Sequence, residues 1–300
     1  MVAPSDEELQ AQRSDFGLRL SNSMAKYGPL CVGIDPHRKL LTDWGYNVDA
    51  EGAELFSMRM LQAANGRAAA VKFQTPMFER YGAKGFEALE RVLYAARQMG
   101  VITIVDCLRG GLSTTISAIA DAYFKPGAPL LADAITLLPY YGARSLNGLI
   151  TEALENGRGV FIASLTSNPE GMSLQTAIRQ SGDYRGRTVA FGIASNAQQH
   201  NADIDGMGSV GLIIGATIGQ WMKGLRCEPF RIHRPYSLSR LRLAGCRSQG
   251  PENRVPRHAQ QRAGHRIPSH RLARAGYRFA EPGHRVDCAR RAPGADGSHR

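Results

Sequence analysis

Two hydrophobic rhythms alternate along the first 225 positions. Aliphatic runs of four to eight residues are separated by longer stretches whose apolar positions return every three to four residues. The first rhythm reads as buried strand and the second as amphipathic helix. A polar lead-in at 1–12 precedes a helix predicted over 13–27, with Phe16, Leu18 and Leu20 among its apolar positions. Strands are predicted at Leu30-Cys-Val-Gly-Ile-Asp-Pro36, Ala69-Ala-Val-Lys-Phe-Gln74, Val101-Ile-Thr-Ile-Val-Asp106, Ala134-Ile-Thr-Leu-Leu138, Gly159-Val-Phe-Ile-Ala-Ser-Leu-Thr166 and Val210-Gly-Leu-Ile-Ile-Gly-Ala-Thr217. Helices are predicted between them. The first spans 50–65. The second spans 78–99, where Phe86, Leu89, Leu93 and Ala96 keep helical spacing and Gly100 suits the C-terminal cap. The others span 113–123, with Ser113 or Thr114 as N-cap, then 146–155, a helical run reaching 180, and a start at 218–224. The apolar segment within 187–200 receives no element on pattern alone.

Strands that alternate with helices six times imply parallel βαβ units. An open doubly wound sheet and a closed barrel both fit this order. The barrel is favoured because polar or charged residues close so many different strands: Asp35, Lys72, Asp106, Thr166 and Thr217. No G-x-G-x-x-G follows the first strand, so a dinucleotide fold is not indicated. The expected fold is therefore α/β, a (β/α)8 TIM barrel. It is incomplete, because six strands precede an abrupt change of character after Leu225.

Charge sharpens that boundary. The chain of 300 residues carries a net charge of +11. Residues 226–300 hold 17 Arg, no Lys and five acidic residues, a net of +12, whereas residues 1–225 hold 20 basic and 21 acidic residues, a net of −1. The body is thus near-neutral, and all the excess charge sits in the tail. A basic tail can serve nucleic acid, but absent Lys and absent Arg-Gly repeats argue against such an arm. The five cysteines show no C-x-x-C or zinc spacing, and a reducing, cytoplasmic setting is expected. The N-terminus is polar and acidic, unlike a signal peptide, and no apolar run reaches the ~18–20 residues of a membrane span. His37 and His200 are the only histidines before the tail, and neither has a metal-ligand partner at useful spacing. No metal is expected.

Lys72 and Asp106 invite a chemical reading. A Lys inside an apolar strand is costly unless paired, and an acid closing a barrel strand lies where such folds keep their chemistry. Asp35 before Pro36 can equally start a turn, and Thr166 or Ser167 can equally cap a following helix. Several motifs in order, LCVGIDPH at 30–37, VKFQTPMFERYG at 71–82, the stretch from Asp106 to Gly111, TLLPYYG at 136–142, SLTSNPEG at 164–171 and IIGAT at 213–217, together resemble the orotidine 5′-phosphate decarboxylase family. The resemblance covers roughly Phe16 to Gly224. It implies decarboxylation of orotidine 5′-phosphate to uridine 5′-phosphate and carbon dioxide, without metal or organic cofactor, in de novo pyrimidine synthesis.

By that resemblance Asp35 contacts the ribose hydroxyls, Lys72 and Asp106 belong to the catalytic charged network, and Thr166 and Ser167 bond the pyrimidine edge. TLLPYYG and IIGAT are scaffold. The family signature is Asp-x-Lys-x-x-Asp. Aligned on Asp106, its proton-donor Lys falls on Leu108 and its second Asp on Gly111. That second Asp reaches a neighbouring subunit's site, so the resemblance also implies a homodimer. Strand period places Leu108 on the face of Asp106, in the barrel mouth near Lys72 and Asp35. Decarboxylation leaves negative charge on the ring carbon, which an ammonium must stabilise and then protonate. A chain with Leu there is expected to be impaired or inactive. Non-catalytic nucleotide binding, or nucleic-acid binding through the tail, are the alternatives. Plausible codons for residues 226–271, read one nucleotide out of register, give GPILSPGYGWQGA and NSVLVTASR. These resemble the family's last two strands and its phosphate-gripping loop. The tail is therefore expected to be an out-of-frame product with no selected fold.

Overall fold

The computed structural model describes residues 15–112 and 114–215, with the backbone of Arg242–Leu243. Helix α1 (Phe16–Tyr27) starts where the Asp15 carboxylate accepts from the Leu18 amide, and Gly28 ends it at φ 79°. Strands β1 (Leu30–Ile34), β2 (Ala70–Gln74), β3 (Thr103–Arg109), β4 (Ala134–Leu137), β5 (Gly159–Leu165) and β6 (Val210–Ile214) follow. Between them lie α2 (Arg38–Asp43), α3 (Ala50–Ala64), α4 (Pro76–Glu79), α5 (Ala83–Gln98), α6 (Thr114–Tyr123), α7 (Asn147–Glu155), α8 (Gly171–Gln175) and α9 (Val189–His200). The sheet order is β6-β5-β4-β3-β2-β1, every pair parallel, and the sheet forms a curled half-barrel. Two residues of the tail, β7 (Arg242–Leu243), pair parallel with Leu30 and Cys31 at the free side of β1. The remaining expectations for 226–300, those for 1–12, and those for Ser113, Thr217 and the helix at 218–224 lie outside the described residues.

The two sheet faces are both buried, which is why the strands read as continuous apolar runs. Val71, Phe73, Val105, Ile135, Leu137, Val160 and Ile162 face the helices in the main core. Cys31, Ala70, Ile104, Ala134 and Phe161 face the other way, and Phe16 and Leu20 of α1 pack on them. Helix α1 thereby plugs the N-terminal half of the barrel interior. At the same end, the buried Asp133 carboxylate accepts from the Thr103 amide at 2.8 Å and pairs with Arg19 at 2.8 Å and Arg158 at 3.4 Å. That polar knot joins α1 to β3, β4 and β5 away from the strand ends where chemistry belongs.

The predicted helix over 78–99 is two helices. Gly82 at φ 63° separates α4 from α5, and a Cβ on Gly85 would meet the Phe78 carbonyl oxygen at 1.9 Å, so only glycine admits that close approach. The helical run expected to reach 180 stops at Gln175. After it, Ile178 and Thr188 form a single antiparallel bridge, and the Arg179 amide bonds the Arg187 carbonyl at 2.9 Å. The segment 187–200 is α9, with the Thr188 hydroxyl accepting from the Phe191 amide. Strand β3 continues past Asp106 to Arg109, with a register irregularity against β4 between Val105 and Arg109.

Candidate active site

Strand period alone builds the polar cluster. Ala70, Ile104 and Ala134 belong to the inner apolar layer. Two residues later on the same face come Lys72, Asp106 and Thr136. The layer turns from apolar to polar at one height, beyond the reach of α1. There Lys72 Nζ meets Asp106 Oδ2 at 2.5 Å. The Thr136 hydroxyl donates to Asp106 Oδ1 at 2.8 Å and accepts from the Leu108 amide at 2.9 Å. Both Asp106 oxygens are thus engaged, one by a charge and one by a neutral donor.

Lys72 is 6% exposed and Thr136 2%. Burial of an ammonium at that level requires a paired anion, and Asp106 supplies it. Asp35 faces the same pair from the end of β1. Burial pushes its carboxyl above the usual carboxylate range, Lys72 and His37 pull it down, and Asp106 pushes it further up. Asp35 Oδ1 is buried and has no hydrogen-bond partner. Beneath the cluster the Cys31 thiol is pushed up to about 12, first by burial. It is an inert neutral packing group.

Leu108 stands at the end of this network. Its side chain is 47% exposed and its backbone has φ 43°, a left-handed conformation rare for a branched apolar residue. The strand irregularity and this φ interrupt simple alternation after Asp106. Leu108 therefore joins the site through its amide, held by Thr136, and brings no charge. Gly111 is buried at the entry to α6, where an added Cβ would meet Thr115 Cγ2 at 2.7 Å. Neighbouring Arg109 pairs with Glu79 at 2.6 Å.

Thr166 and Ser167 close β5. Gln175 grips Thr166 twice: its Oε1 accepts from the Thr166 amide at 2.8 Å and its Nε2 donates to the Thr166 hydroxyl at 2.7 Å. Ser167 is exposed, and its backbone packs on Gly215, where a Cβ would lie 2.6 Å from the Ser167 nitrogen. Neither residue caps a helix, since the N-cap of α8 is Glu170. The structure thus brings Asp35, Lys72 and Asp106 into mutual electrostatic contact and sets Thr166 and Ser167 at another strand end of the same sheet. Pattern reading assigned Thr136 to the scaffold. Its position two residues after Ala134, on the face shared with the charged strand ends, is the signal that marks it.

Among the described residues no group of three or more His, Cys, Asp or Glu could hold a metal ion, and no helix is long and apolar enough to cross a membrane. The charged cluster itself consists of one ammonium, Lys72, facing two carboxylates, Asp106 and Asp35.

Comparison with known proteins agrees with this geometry. The model of the orotidine 5′-phosphate decarboxylase / HUMPS family matches residues 28–235. An orotidine 5′-phosphate decarboxylase from Salinispora arenicola is 44% identical over 205 residues, which cover 68% of this chain and 72% of that protein. One from Streptomyces coelicolor is 42% identical over 204 residues, covering 68% and 72%. A crystal structure from Streptomyces avermitilis assigned to the same enzyme superposes with a TM-score of 0.66 at 40% identity, covering 70% of this chain and 72% of its own. A match of that extent and identity, laid on a parallel half-barrel with charged strand ends, places this chain in the orotidine 5′-phosphate decarboxylase family, the carboxy-lyases of pyrimidine nucleotide biosynthesis.

Proposed function

We propose that this chain holds the nucleotide-positioning half of a decarboxylase site and lacks the half that moves the proton. The observation that carries the reading is the Lys72–Asp106–Thr136 network ending on the backbone of an uncharged Leu108. In this reading the substrate is orotidine 5′-phosphate. The unpartnered Asp35 Oδ1 accepts from a ribose hydroxyl, Lys72 and Asp106 flank the reacting ring carbon, and Thr166 and Ser167 meet the pyrimidine edge. Carbon dioxide leaves with its bonding electrons staying on that carbon. The carbanion then needs an ammonium that stabilises it and gives up a proton. Lys72 is committed to Asp106, and Leu108 has no proton to give, so turnover stops at binding.

The same reading takes the active unit as a homodimer in the cytoplasm. Exposed Leu108 near the end of β3, with Leu112, Leu138, Tyr140 and Tyr141 on the loops after β3 and β4, offers apolar side chains to a second copy. It takes residues 226–300 as translated out of frame, so that the last two strands and the phosphate loop are missing from the product. Sequencing the coding DNA tests that part. If the shifted frame does not encode a barrel end, the tail is a genuine segment.

Catalysis is tested by repair. The chain as it stands is expected to show no decarboxylation. Leu108→Lys with Gly111→Asp is expected to fail too, since distant phosphate binding supplies much of the transition-state stabilisation. The pair plus a restored frame after Leu225 is expected to turn over. Activity of the unmodified chain, or inactivity of the fully repaired one, refutes the proposal. The nucleic-acid alternative is distinguished by salt: DNA binding that falls steeply with salt and vanishes on deleting the tail favours it.

A further inference from the structure

A cavity lies apart from the Lys72–Asp106 network and shares no residue with it. It holds about 210 Å³ between the 179–184 loop, the turn at Gly142 and one face of α9. Its floor is built for a guanidinium. A Cβ on Gly192 would lie 2.0 Å from Arg179 Nη1, so the absence of a side chain at Gly192 lets the guanidinium rest on the helix. Arg179 has no carboxylate partner among the described residues, and its guanidinium carbon stands 6.0 Å from the centre of the Tyr184 ring. Across the rim, Arg144 and Asp183 satisfy each other at 2.7 Å. The positive charge left for a ligand is therefore that of Arg179.

One helical turn on, Asn196 is 5% exposed. Asn196 lines the cavity, its Nδ2 donates to Asn147 Oδ1 at 3.3 Å, and its Oδ1 is buried with no partner. A buried acceptor left unsatisfied is costly. Tyr184 forms the third wall. Its backbone is held at φ 62°, its ring packs edge-on against Phe191 at 5.6 Å, and its hydroxyl accepts from Gln199 Nε2 at 3.1 Å. A bulky residue kept in the left-handed region, with its ring fixed against a cavity, is a feature that binding sites retain.

A cation, an unpaired acceptor one turn away and an aromatic wall specify a ligand with three matching parts. We propose that this cavity is a binding site for a small planar heteroaromatic carboxylate that carries a ring N–H. The carboxylate meets Arg179, the N–H donates to Asn196 Oδ1, and the ring lies against Tyr184. Nothing in this assignment depends on the decarboxylase reading, because the two sites share no side chain.

The test is calorimetric titration of the full chain with pyrrole-2-carboxylate, furan-2-carboxylate and pyrrole. Saturable binding of the first is expected, weakened at least about tenfold in each of the other two, which lack the N–H and the carboxylate. Arg179→Met is expected to weaken pyrrole-2-carboxylate by a similar factor. Gly192→Ala is the sharper variant. Alanine favours a helix over glycine, so the fold should be as stable or more so, while the new methyl displaces the guanidinium and binding falls. Excess uridine 5′-phosphate should not compete. No saturable binding, equal binding of the three probes, unchanged affinity in both variants, or competition by the nucleotide would each overturn the assignment.

Discussion

Replacing Asp106 by Ala isolates the interaction on which the site rests. The change removes the anion 2.5 Å from Lys72 Nζ and the acceptor for the Thr136 hydroxyl. The Lys72 side chain is 7% exposed and that of Asp106 16%, so water can restore little of what Lys72 loses. Breaking a buried pair by deleting one partner costs about 3–5 kcal/mol. Asp35 faces Lys72 from β1 and takes up part of the charge, which places the expected loss at about 3–4 kcal/mol. For a body of this size each kcal/mol shifts Tm by about 2–4 °C, so the melt should drop by about 6–16 °C. Lys72→Met with Asp106→Leu removes both charges together and is expected within about 1 kcal/mol of the parent, because an apolar pair of similar volume escapes desolvation. The assay is urea denaturation of the parent, Asp106→Ala, the single variants Lys72→Met and Asp106→Leu, and their double, with the slope checked for constancy. An Asp106→Ala loss under about 1 kcal/mol, or a double-variant loss equal to the sum of the singles, would refute the pairing as the cluster's organising interaction.

Thr136→Val keeps the shape but removes a donor to Asp106 and an acceptor from the Leu108 amide, and should cost about 1–3 kcal/mol by the same denaturation assay; a neutral result would mean the hydroxyl positions nothing. Asp35→Asn should stabilise the chain. The folded carboxyl is raised above its unfolded value, so its stabilising contribution is present below the unfolded pKa and lost as pH rises through the folded one. Melts across pH should therefore show the variant ahead near pH 7 and level with the parent at pH 3, and the opposite trend would contradict the burial argument. Leu108→Gly relieves φ 43° at a half-exposed position and should gain about 0.5–1 kcal/mol in stability; a loss would show that the leucine packs usefully.

The six strands were legible because both faces of this sheet are covered, so each strand prints an unbroken aliphatic run that no surface helix imitates. The helices were legible where one face packs and the other is solvated, as in α5 with buried Leu89, Val92, Leu93 and Ala96. They were not legible where tertiary contact decides. The break at Gly82 exists because α4 folds back until Gly85 touches Phe78, a contact no local pattern encodes. Helix α9 escaped for a related reason. Gly192, Ser195 and Asn196 interrupt its apolar rhythm although all three are buried, and Gly192 and Asn196 do so because they line a cavity with Arg179 instead of packing into a core. Residues 176–187 resisted because short polar segments acquire shape from backbone pairing at Arg179 and Arg187.

The charged residues of the site announced themselves by cost, since a Lys or an Asp within or closing an apolar strand must be paid for by a partner. Thr136 did not, because threonine is an ordinary strand residue and only its register beside Asp106 gives it a role. The same layering explains why the network is well supported. Lys72, Asp106 and Thr136 satisfy one another and sit directly above an apolar layer that α1 seals, so their geometry is held by strands already paired on both sides. Leu108 and Gly111 lie at and beyond the register irregularity of β3 against β4. Leu108 follows the strand irregularity in a left-handed backbone, and Gly111 sits where any side chain must displace Thr115. A lysine and an acid introduced there therefore meet a left-handed backbone at Leu108 and the Thr115 side chain at Gly111. In the proposed reading, that local geometry is what a repaired chain has to accommodate before it can protonate a bound carbanion.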